Sequence, residues 1–569
     1  MGDQMSLRVI LSAIAILVLI SVLRVINDGD AADLVLTNGH IVTVDDDNPT
    51  AQAIAIKEGK ILALGSDADM DELVGSQTEV IDLEGQTAIP GFIEGHAHFT
   101  GVGRAQLQLN LMNVANWDEI VGMVEVAVTN AEPGELILGR GWHQEKWDRP
   151  PVPNVEGIPL HITLSAASPN NPVLLTHASG HAVYANAKAM ELSGVDNTTQ
   201  DPTGGEIIRD GLGNPIGYFR ETASRLLSPA REGAAPPDPR RVVELAQEEA
   251  LSKGITSFQD AGSSFEEIDV FKEMAEDGSL NIRLWVMVRE SVAELTEHLA
   301  DYRMIGVGED RLTVRAIKMA IDGALGSHGA WLLEPYSDLP ESAGLNTSNL
   351  EDAAATAELA IEHEYQFAMH AIGDRGNRET LDIFQWAFTN NPDEEDLRWR
   401  VEHAQQLHPD DIPRFGEMQV IASMQGVHAT SDGPWISDRL GKERVESGSY
   451  VWQDLMDAGA IIANGTDAPV EDVDPIASYY SSVSRMMGNG EVLTPRQRMS
   501  RIEALKSYTI NNAYAGFEED IKGSLEVGKL ADITVLDRDI LTIDENDIPN
   551  TEIRYTIVGG KVMYSGSGN

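Results

Sequence analysis

The sequence predicts an α/β fold: a (β/α)8 barrel of the TIM type with an inserted subdomain, plus a small β-sandwich built from both chain ends. Three observations support this prediction. Eight short apolar segments alternate with helical stretches in the middle of the chain, which is typical of a parallel sheet. Both chain ends instead carry short strand-like segments. The chain has 569 residues, which is enough for more than one domain.

The N-terminal residues 1–31 are interpreted as a hydrophobic leader or signal anchor. Residues 9–23 are almost unbroken apolar sequence, bracketed by Arg8 and Arg24. This stretch is short for a membrane span of about 20 residues but long enough for a signal-peptide core. We therefore expect a membrane-anchored or exported protein, whose body lies on the outer side of the cytoplasmic membrane and which contacts the membrane through this segment only. Cleavage of the leader is left open.

Residues 32–88 and 520–569 are predicted to form one composite β-sandwich. Asn38-Gly39 and Glu58-Gly59 are tight-turn pairs between strand-like segments, and each favours a hairpin. Further strand-like segments lie at 531–536 and 555–563. Neither set of strands is large enough for a stable domain of its own, so we expect the two sets to share one core.

Composition limits the classes of partner. The chain has 41 basic and 91 acidic residues, a net charge of −50, which repels nucleic acid and anionic lipid. So large an acidic excess also suggests a salt-tolerant host, since salt screens self-repulsion. The chain has no cysteine, so disulfides and thiolate metal sites are excluded.

Residues 89–519 are predicted to form the barrel, with an insertion at about 117–240 that is too long for a simple connection between a strand and a helix. The first barrel strand leads into His96 and His98, which face the same side because alternate residues of a strand do so. Two imidazoles placed in this way can clamp one metal ion. The other seven strands are predicted at 255–259, 282–288, 313–320, 367–371, 399–403, 420–424 and 461–465.

Polar side chains stand where these strands end. In barrels of this type, functional groups lie at the C-terminal ends of the strands. Buried charges are costly unless they are paired or bound to metal, so packing alone is a poor explanation for such a set. The residues are His96, His98, Lys318, His370, His403 and Asp467.

The order of five motifs in this chain resembles the amidohydrolase superfamily, specifically subfamily 3, which includes metal-dependent hydrolases similar to N-substituted formamide deformylases. The motifs are PGFIEGHAH at 90–98, IKMAIDG at 317–323, MHAIGD at 369–374, EHAQ at 402–405 and GTDAP at 465–469. Glu94 stands where this family more often has Asp. The resemblance implies a zinc site of one or two ions in which a carboxylated Lys318 bridges the pair. It further implies that His96, His98 and Asp467 hold one ion and that His370 and His403 hold the other.

The mechanism expected from these parts is hydrolysis by a hydroxide that the metal generates from water near neutral pH. Asp467 would take the proton of the attacking water and pass it to the leaving amine. Two further histidines are weaker catalytic candidates. His181 lies in a segment similar to one near the active site of the family, with a structural role as the alternative. His428, together with Asp432, follows the seventh strand and is expected to contact substrate.

Other aromatic residues and histidines carry less weight. Trp142, Trp147, Trp331 and Trp435 are interpreted as packing residues that could also line a pocket. The remaining histidines considered, His143, His161, His177, His363 and His408, are interpreted as surface or structural.

The resulting hypothesis is a metal-dependent amidohydrolase that cleaves a non-peptide C–N bond of a small molecule: an amide, a formamide or a cyclic amide. Two alternatives remain. The same site could serve deamination, ester hydrolysis or hydration, or the chain could be a non-catalytic regulatory or binding relative. A homodimer is expected from the resemblance alone.

Overall fold

The computed structural model of the chain describes residues 31–232 and 237–566. They form two compact units, one of residues up to Phe92 and from Phe517 onward, and one of Ile93–Gly516. The apolar stretch at 9–23, predicted to be a leader or anchor, lies outside the described residues. Within the described ranges, none of the helices combines the length and the apolar character that a membrane crossing requires.

The first unit is a sandwich of two sheets to which both chain ends contribute. The four-stranded sheet consists, in spatial order, of Lys60–Gly65, Ala53–Lys57, Leu34–Thr37 and Glu79–Asp82. The six-stranded sheet consists of Lys561–Ser565, Ile553–Val558, Ile533–Leu536, Thr87–Pro90, His40–Val42 and Thr50–Ala51. Buried side chains from both sheets, among them Ile54, Ile41 and Ile533, form one hydrophobic cluster. A single core therefore joins strands from the two ends of the sequence.

One of the two predicted hairpins is wrong. Glu58 and Gly59 do connect paired antiparallel strands, and both have positive φ angles, 49° and 75°. Asn38 and Gly39 instead carry the chain from the four-stranded sheet to the six-stranded sheet, because the strands before and after them pair with different partners. A tight turn can connect two sheets as readily as two strands of one sheet, and sequence alternation does not distinguish the two cases.

The second unit contains the barrel. Its eight strands, β1 to β8, are Phe92–Ala97, Ile255–Ser263, Arg283–Val288, Leu312–Ala320, Gln366–Ala371, Arg400–His403, Ile421–Gln425 and Ile462–Gly465. They are adjacent in sheet order, and each pair from β2 to β8 is parallel. The predicted fold class, an α/β chain with a (β/α)8 barrel, is confirmed.

Residues at the seam between β8 and β1 connect the two ends of the strand order. The backbone N–H of Thr466 donates to Glu94 Oε1 at 2.6 Å, and that of Asp467 donates to the carbonyl of His96 at 2.7 Å. Gly465 allows this approach, because a Cβ there would lie 2.4 Å from Glu94 Oε1. The residues following β8 are thereby brought against β1, next to its histidines.

Helices follow the strands, and local sequence signals set several of their starts. Ser264 and Glu267 form a capping box at one N-terminus, and the Asp474 side chain accepts two backbone N–H groups just before Pro475 at another. The helices of eight or more residues in the barrel are Pro239–Ser252, Phe265–Asp277, Val292–Tyr302, Leu350–Glu362, Asp374–Asn390, Gly426–Leu440 and Pro475–Ser484. Shorter helices are Phe99–Ala105, Val307–Asp310, Ile412–Glu417, Lys442–Gly448, Trp452–Asp457, Arg501–Ser507 and Ile510–Ala515.

A second sheet lies in the long connection between β1 and β2. Its strands, in spatial order, are Gly205–Arg209, Pro215–Glu221, Ala182–Ala185, Val173–His177, Ile137–Trp142 and Leu109–Asn110. The helices Trp117–Asn130, Ile162–Ala167 and Ala187–Leu192 accompany it. Trp142 is fully buried in the hydrophobic core of this sheet, and Trp147 packs against that core. The sheet includes Leu109, which precedes the start of the insertion expected from the sequence.

Candidate metal centre

Three side chains converge on one point: His96 on β1, His98 just after β1, and Asp467 after β8. Asp467 Oδ1 lies 3.3 Å from His98 Nε2 and 3.5 Å from His96 Nε2. Within the described part of the chain, this buried oxygen has no hydrogen-bond partner. Lone pairs that face one another at such distances without a hydrogen bond are the arrangement expected of ligands around a cation. The three residues therefore fit a metal ion.

The other strand-end residues surround this point. Lys318 Nζ, on β4, is 3.5 Å from His96 Nε2. The His403 ring, on β6, has its centre 4.7 Å from that of His96 and 4.5 Å from that of His370 on β5. All six positions predicted from the strand ends thus lie together at the same end of the barrel.

A further histidine extends the set of potential ligands. Ring nitrogens of His403 and His428 and a carboxylate oxygen of Asp467 lie within 4.8 Å of one another. The His428 ring lies parallel to that of His403, with centres 6.2 Å apart. His428 Nε2 and His370 Nε2 are buried atoms that find no hydrogen-bond partner among the described residues. The second group thus offers three nitrogen and oxygen ligands, on His403, His428 and Asp467, and a fourth where His370 takes part.

Acceptors outside this group orient two of the histidines. His96 Nδ1 bonds Glu402, and His403 Nδ1 lies 2.7 Å from Gln425 Oε1. Because Gln425 Nε2 donates to the Ser423 carbonyl, its oxygen faces His403, and His403 Nδ1 is the donor. Each ring therefore has Nε2 turned inward with a free lone pair, the usual arrangement for a metal-bound histidine.

Glu402 is held in turn by Arg400 of the same strand. Arg400 Nε donates to Glu402 Oε1 at 2.6 Å, and its other nitrogens reach Gln259 Oε1, the Gly95 carbonyl and Ser423 Oγ. Burial raises the pKa of the Glu402 carboxyl, but Arg400 and His96 hold it well below its usual range. A negative charge is thus fixed beneath His96 by a cation that contacts four barrel strands.

Burial and neighbouring charges set the protonation states at the centre. Burial lowers the pKa of His98 to about 4 and that of Lys318 to about 8. Burial alone would raise the pKa of Asp467, but His96 and His98 hold it well below its usual range. Near neutral pH the group therefore presents a neutral imidazole and a carboxylate, which are forms that bind cations, and a lysine that is mostly protonated but has a minor neutral fraction.

Two of the converging residues have strained backbone. His403 has φ 77° and Asp467 has φ 58°, in the left-handed region that residues with a Cβ seldom adopt. Because Glu402 points into the barrel, regular alternation would turn His403 outward, and the unusual φ angle brings it to the centre instead. Such strain persists only where the surroundings impose it, and it is frequent at functional sites.

Asp322, which follows β4, fixes the loop beside His370. Its carboxylate accepts the backbone N–H groups of Ile372, Gly373 and Trp331 at 3.0, 2.8 and 2.9 Å. Its Oδ1 also lies 3.5 Å from His370 Nε2. Burial raises the pKa of Asp322 to about 7. The residue connects the ends of β4 and β5 and thereby positions His370.

Two cavities adjoin the centre and share part of their lining. The smaller has a volume of about 120 Å³ and includes apolar walls from Leu325, Ile372 and Trp435. The larger has a volume of about 1120 Å³ and is lined mainly by polar residues. Residues common to both include His98, Ser179, His181, Arg289, Lys318 and Val470. A substrate at the centre could therefore extend in two directions of different size and polarity.

The two weaker catalytic candidates both line the smaller cavity. His181 Nδ1 lies 2.8 Å from Glu221 Oε2, and its ring centre is 5.9 Å from that of His370. Burial would lower the pKa of His181, but the Glu221 carboxylate raises it. His428 lies in the helix after β7, and nearby Asp432 accepts hydrogen bonds from the Gln405 amide and the Tyr450 hydroxyl. Both histidines are therefore within reach of a bound substrate.

The aromatic residues are divided between cavity and core. Trp435 lines the smaller cavity, whereas Trp331 lies outside both linings and carries the Arg375 guanidinium 4.4 Å above its ring. His143, interpreted from the sequence as surface or structural, is buried and lines the smaller cavity. Its ring lies 4.6 Å from that of His177, and burial lowers the pKa of both.

Sequence reasoning missed the residues that support or flank the centre: Arg400, Gln425, Asp322, Glu221 and Arg289. One signal was available, since Arg400 and Glu402 are opposite charges two apart on a predicted interior strand and hence share one face. The others depend on contacts between distant segments, which a single sequence does not reveal.

Comparisons with known proteins agree with this geometry. The profile described as "Amidohydrolase family" matches residues 79–564. Protein LONG AFTER FAR-RED 3 of Arabidopsis thaliana is 32% identical over 94% of this chain and 92% of its own length. N-substituted formamide deformylase of Arthrobacter pascens is 26% identical over 94% of this chain and 99% of its own. The crystal structure of an uncharacterized metal-dependent hydrolase from Pyrococcus horikoshii superposes with a TM-score of 0.72 at 27% identity, covering 90% of this chain and 99% of the other.

The profile match covers most of the chain, and the Arabidopsis protein aligns with nearly all of it. The described residues provide a barrel with a candidate metal site at the ends of its strands. The chain belongs to the amidohydrolase family and is a metal-dependent hydrolase acting on carbon–nitrogen bonds.

Proposed function

We propose that this protein hydrolyses a non-peptide C–N bond of a small molecule, an amide, formamide or cyclic amide, with zinc at the centre described above. The observation that carries the proposal is the set of buried ligand atoms, on Asp467, His370 and His428, that have no hydrogen-bond partner in the described residues. The similarity to a protein named N-substituted formamide deformylase supports the choice of an amide-type bond.

In the proposed site, His96, His98 and Asp467 would hold one zinc ion, and His370 and His403 would hold a second where two are bound. Lys318, once carboxylated, would supply an anionic oxygen ligand. Burial supports this role, because it lowers the pKa of Lys318 to about 8 and so favours the neutral amine, the form that reacts with carbon dioxide. His428 offers an alternative nitrogen beside His403.

A divalent ion bound there would supply Lewis acidity, which lowers the pKa of water and polarises a carbonyl group. Asp467 can accept a proton from the attacking water, since its carboxylate is held ionised by His96 and His98. The C–N bond then breaks, the acyl carbon keeps the hydroxyl group and Asp467 returns the proton to the leaving amine. His181, fixed through Nδ1 by Glu221, leaves Nε2 for a hydrogen bond to the substrate oxygen.

The apolar N-terminal segment extends the proposal to location. We propose that residues 9–23 direct the protein to the membrane, so that hydrolysis takes place outside the cytoplasm. Fractionation of cells that express the full chain and a form lacking residues 1–30 tests this: the full chain should sediment with membranes or be exported, and the shortened form should stay in the soluble cell fraction.

The test of the reaction combines metal analysis with one substitution. The purified chain should contain one or two zinc ions and release amines from a panel of N-formyl and N-acetyl compounds. Asp467→Asn should lower kcat by at least about 10³-fold while metal content is partly kept, because the amide cannot accept the proton. Asp393→Asn, at an exposed turn, is the matched control and should behave as the unmodified protein.

Each alternative has its own signature in this test. Release of ammonia from amino-heterocycles without amine release from amides would favour deamination. A chain that holds no metal and turns over nothing would favour a regulatory or binding relative. Normal turnover by Asp467→Asn would contradict the role given to this carboxylate.

A further inference from the structure

Arg289 is the first residue after β3 and lines both cavities beside the candidate metal centre. Its backbone N–H donates to the Ser263 carbonyl at 2.9 Å, which ties it to the end of β2. Its side chain passes over Gly262, where a Cβ would lie only 2.8 Å from Arg289 Cδ. Any larger residue at 262 would displace the arginine, so the fold provides a defined path for this side chain.

The Arg289 guanidinium has no ion pair or side-chain hydrogen bond among residues 31–232 and 237–566, and the residue is exposed to the cavity. This is notable in a chain with 91 acidic residues and 41 basic ones, where a carboxylate partner is easily supplied. An arginine left unpaired at a catalytic cavity is available to a ligand, and its planar fork suits a carboxylate.

Carboxylates close to Arg289 are occupied by other groups. Glu290 Oε1 accepts the backbone N–H of Phe265 at 3.1 Å. Asp260 accepts the backbone N–H of Phe99 at 2.8 Å and the hydroxyl of Ser263 at 2.6 Å. Asp260 and Asp467 exert an electrostatic attraction on Arg289, but Asp260 is bonded to the scaffold and Asp467 belongs to the candidate metal centre. Neither forms an ion pair with Arg289 among the described residues.

Other charged side chains also line the larger cavity. Arg140 donates to the carbonyls of Pro469 and Ala178, and Lys318 lies beside His96. Glu221 pairs with His181, and Asp322 accepts three backbone N–H groups. Asp352, the remaining aspartate of the lining, lies in the first turn of the helix Leu350–Glu362, where the helix dipole favours its charge. Arg225 also lines this cavity, is exposed and makes no ion pair within the described residues.

We propose that Arg289 binds a carboxylate of the substrate, so that the enzyme acts on anionic amides, in which one molecule carries both a carboxylate and the C–N bond to be cleaved. This inference rests on the proposed function and specifies its substrate class. A protein of net charge −50 repels anions from most of its surface. A local cation beside the metal centre offsets that repulsion and orients one end of the substrate. Arg225 adds positive charge along the larger cavity.

The test uses two matched pairs of compounds that differ only by a carboxylate: N-formyl- and N-acetyl-phenylalanine against N-formyl- and N-acetyl-2-phenylethylamine. The zinc-loaded full chain should cleave the carboxylates with a kcat/KM at least about tenfold higher. Arg289→Gln should lower kcat/KM for the carboxylates by about 10- to 100-fold, mainly through KM, and leave the neutral compounds unchanged. Arg289→Lys should restore part of the difference. Arg149→Gln, which removes an exposed arginine paired with Asp118, is the charge-matched control and should change neither.

A binding measurement separates this inference from the proposed function. Calorimetric titration of zinc-loaded Asp467→Asn should show that N-acetyl-phenylalanine binds more tightly than N-acetyl-2-phenylethylamine, and adding Arg289→Gln should abolish that difference. Equal affinity for both compounds would overturn the carboxylate inference while hydrolysis of neutral amides still upheld the proposed function. Absence of all hydrolysis together with a retained difference in affinity would reject the proposed function and keep Arg289 as an anion site.

Discussion

Glu402 shows how a buried charge serves a metal site from outside the set of ligands. Glu402 bonds His96 Nδ1 and is held by Arg400. The side chains of Glu402 and Arg400 are both fully buried. A buried ion pair seldom adds much stability in itself, because desolvation offsets the attraction. The Glu402 carboxylate has a more specific role here, because it fixes the tautomer of His96 and increases the basicity of His96 Nε2.

Glu402→Gln is therefore expected to weaken metal binding by about 10- to 100-fold with little change in shape. The amide can still contact His96 and Arg400 but carries no charge to support the ligand nitrogen. Competition with a chromophoric zinc chelator measures the affinity. Glu125→Gln, on an exposed face of the helix Trp117–Asn130, is the matched control and should leave the affinity unchanged. Unaltered zinc affinity in Glu402→Gln would show that the carboxylate only balances Arg400.

The positions of the six strand-end residues were accessible from sequence because a parallel barrel places the C-terminal ends of all its strands at one end. Their exact arrangement was not. Glu402 and His403 are adjacent, yet both serve the centre, which requires the φ angle of 77° at His403. Strand alternation predicts opposite directions for two neighbours, so no periodicity argument assigns both residues to the site.

Among the elements, the seam between β8 and β1 is the contact on which the geometry of the centre depends. Glu94 Oε1 accepts the backbone N–H of Thr466, and Oε2 lies 3.1 Å from the Thr466 hydroxyl. Burial raises the pKa of Glu94 from 4.5 to about 8, so the folded protein keeps this carboxyl protonated at neutral pH. A neutral side chain with one donor and one acceptor can bond both the backbone N–H and the hydroxyl of Thr466.

This interpretation predicts different outcomes for two substitutions. At pH 5, where the carboxyl stays protonated in the folded protein at little cost, Glu94→Gln keeps one acceptor and one donor and should change the free energy of unfolding by less than about 1 kcal/mol. Glu94→Ala leaves a cavity and an unpaired backbone N–H on Thr466, and should cost about 2–4 kcal/mol. Urea unfolding of the two variants beside the unmodified protein gives both values. Equal losses in the two variants would indicate that the ionised carboxylate is needed.

The pH dependence of stability follows from the same shift. A carboxyl whose pKa is raised in the folded state contributes stability that is fully present below its unfolded pKa of 4.5 and is lost as pH rises through about 8. The melting temperature of the unmodified protein should therefore fall relative to that of Glu94→Gln between pH 5 and pH 8.5. If the melting temperatures of the unmodified protein and of Glu94→Gln changed in parallel across this pH range, Glu94 would carry the same charge in the folded and unfolded states.

Element boundaries in the barrel were predicted more accurately than connections in the sandwich. Each of the seven barrel strands whose bounds were predicted from the sequence overlaps its predicted segment, because a strand buried on both faces is a continuous apolar run that is easy to recognise. The Asn38-Gly39 turn was misread, because the strand before it pairs with Ala53–Lys57 and the strand after it with Thr87–Pro90. Which strands pair in the sandwich depends on a core formed by residues hundreds of positions apart, such as Ile41 and Ile533.

At the scale of the whole molecule, the dominant property is the net charge of −50. Many basic side chains on the surface are already paired, among them Arg149 with Asp118, Arg240 with Asp277 and Arg241 with Glu244. Exposed pairs of this type contribute little each, so they leave most of the repulsion among the 91 acidic residues uncompensated. Folding brings these charges closer together and therefore costs electrostatic free energy in dilute buffer.

Salt should consequently stabilise the protein. The screening length falls from about 10 Å at 0.1 M to about 3 Å at 1 M, so repulsion between carboxylates on neighbouring surface elements is largely removed over this range. We expect the melting temperature to rise by several degrees between 0.1 and 1 M sodium chloride and to level off above it. Sodium sulfate at equal ionic strength separates charge screening from general salt exclusion. Screening predicts the same early rise in melting temperature for both salts. Exclusion predicts a larger rise in sulfate that does not level off. A melting temperature that is flat or falls with added chloride would contradict the idea that the acidity suits a saline environment.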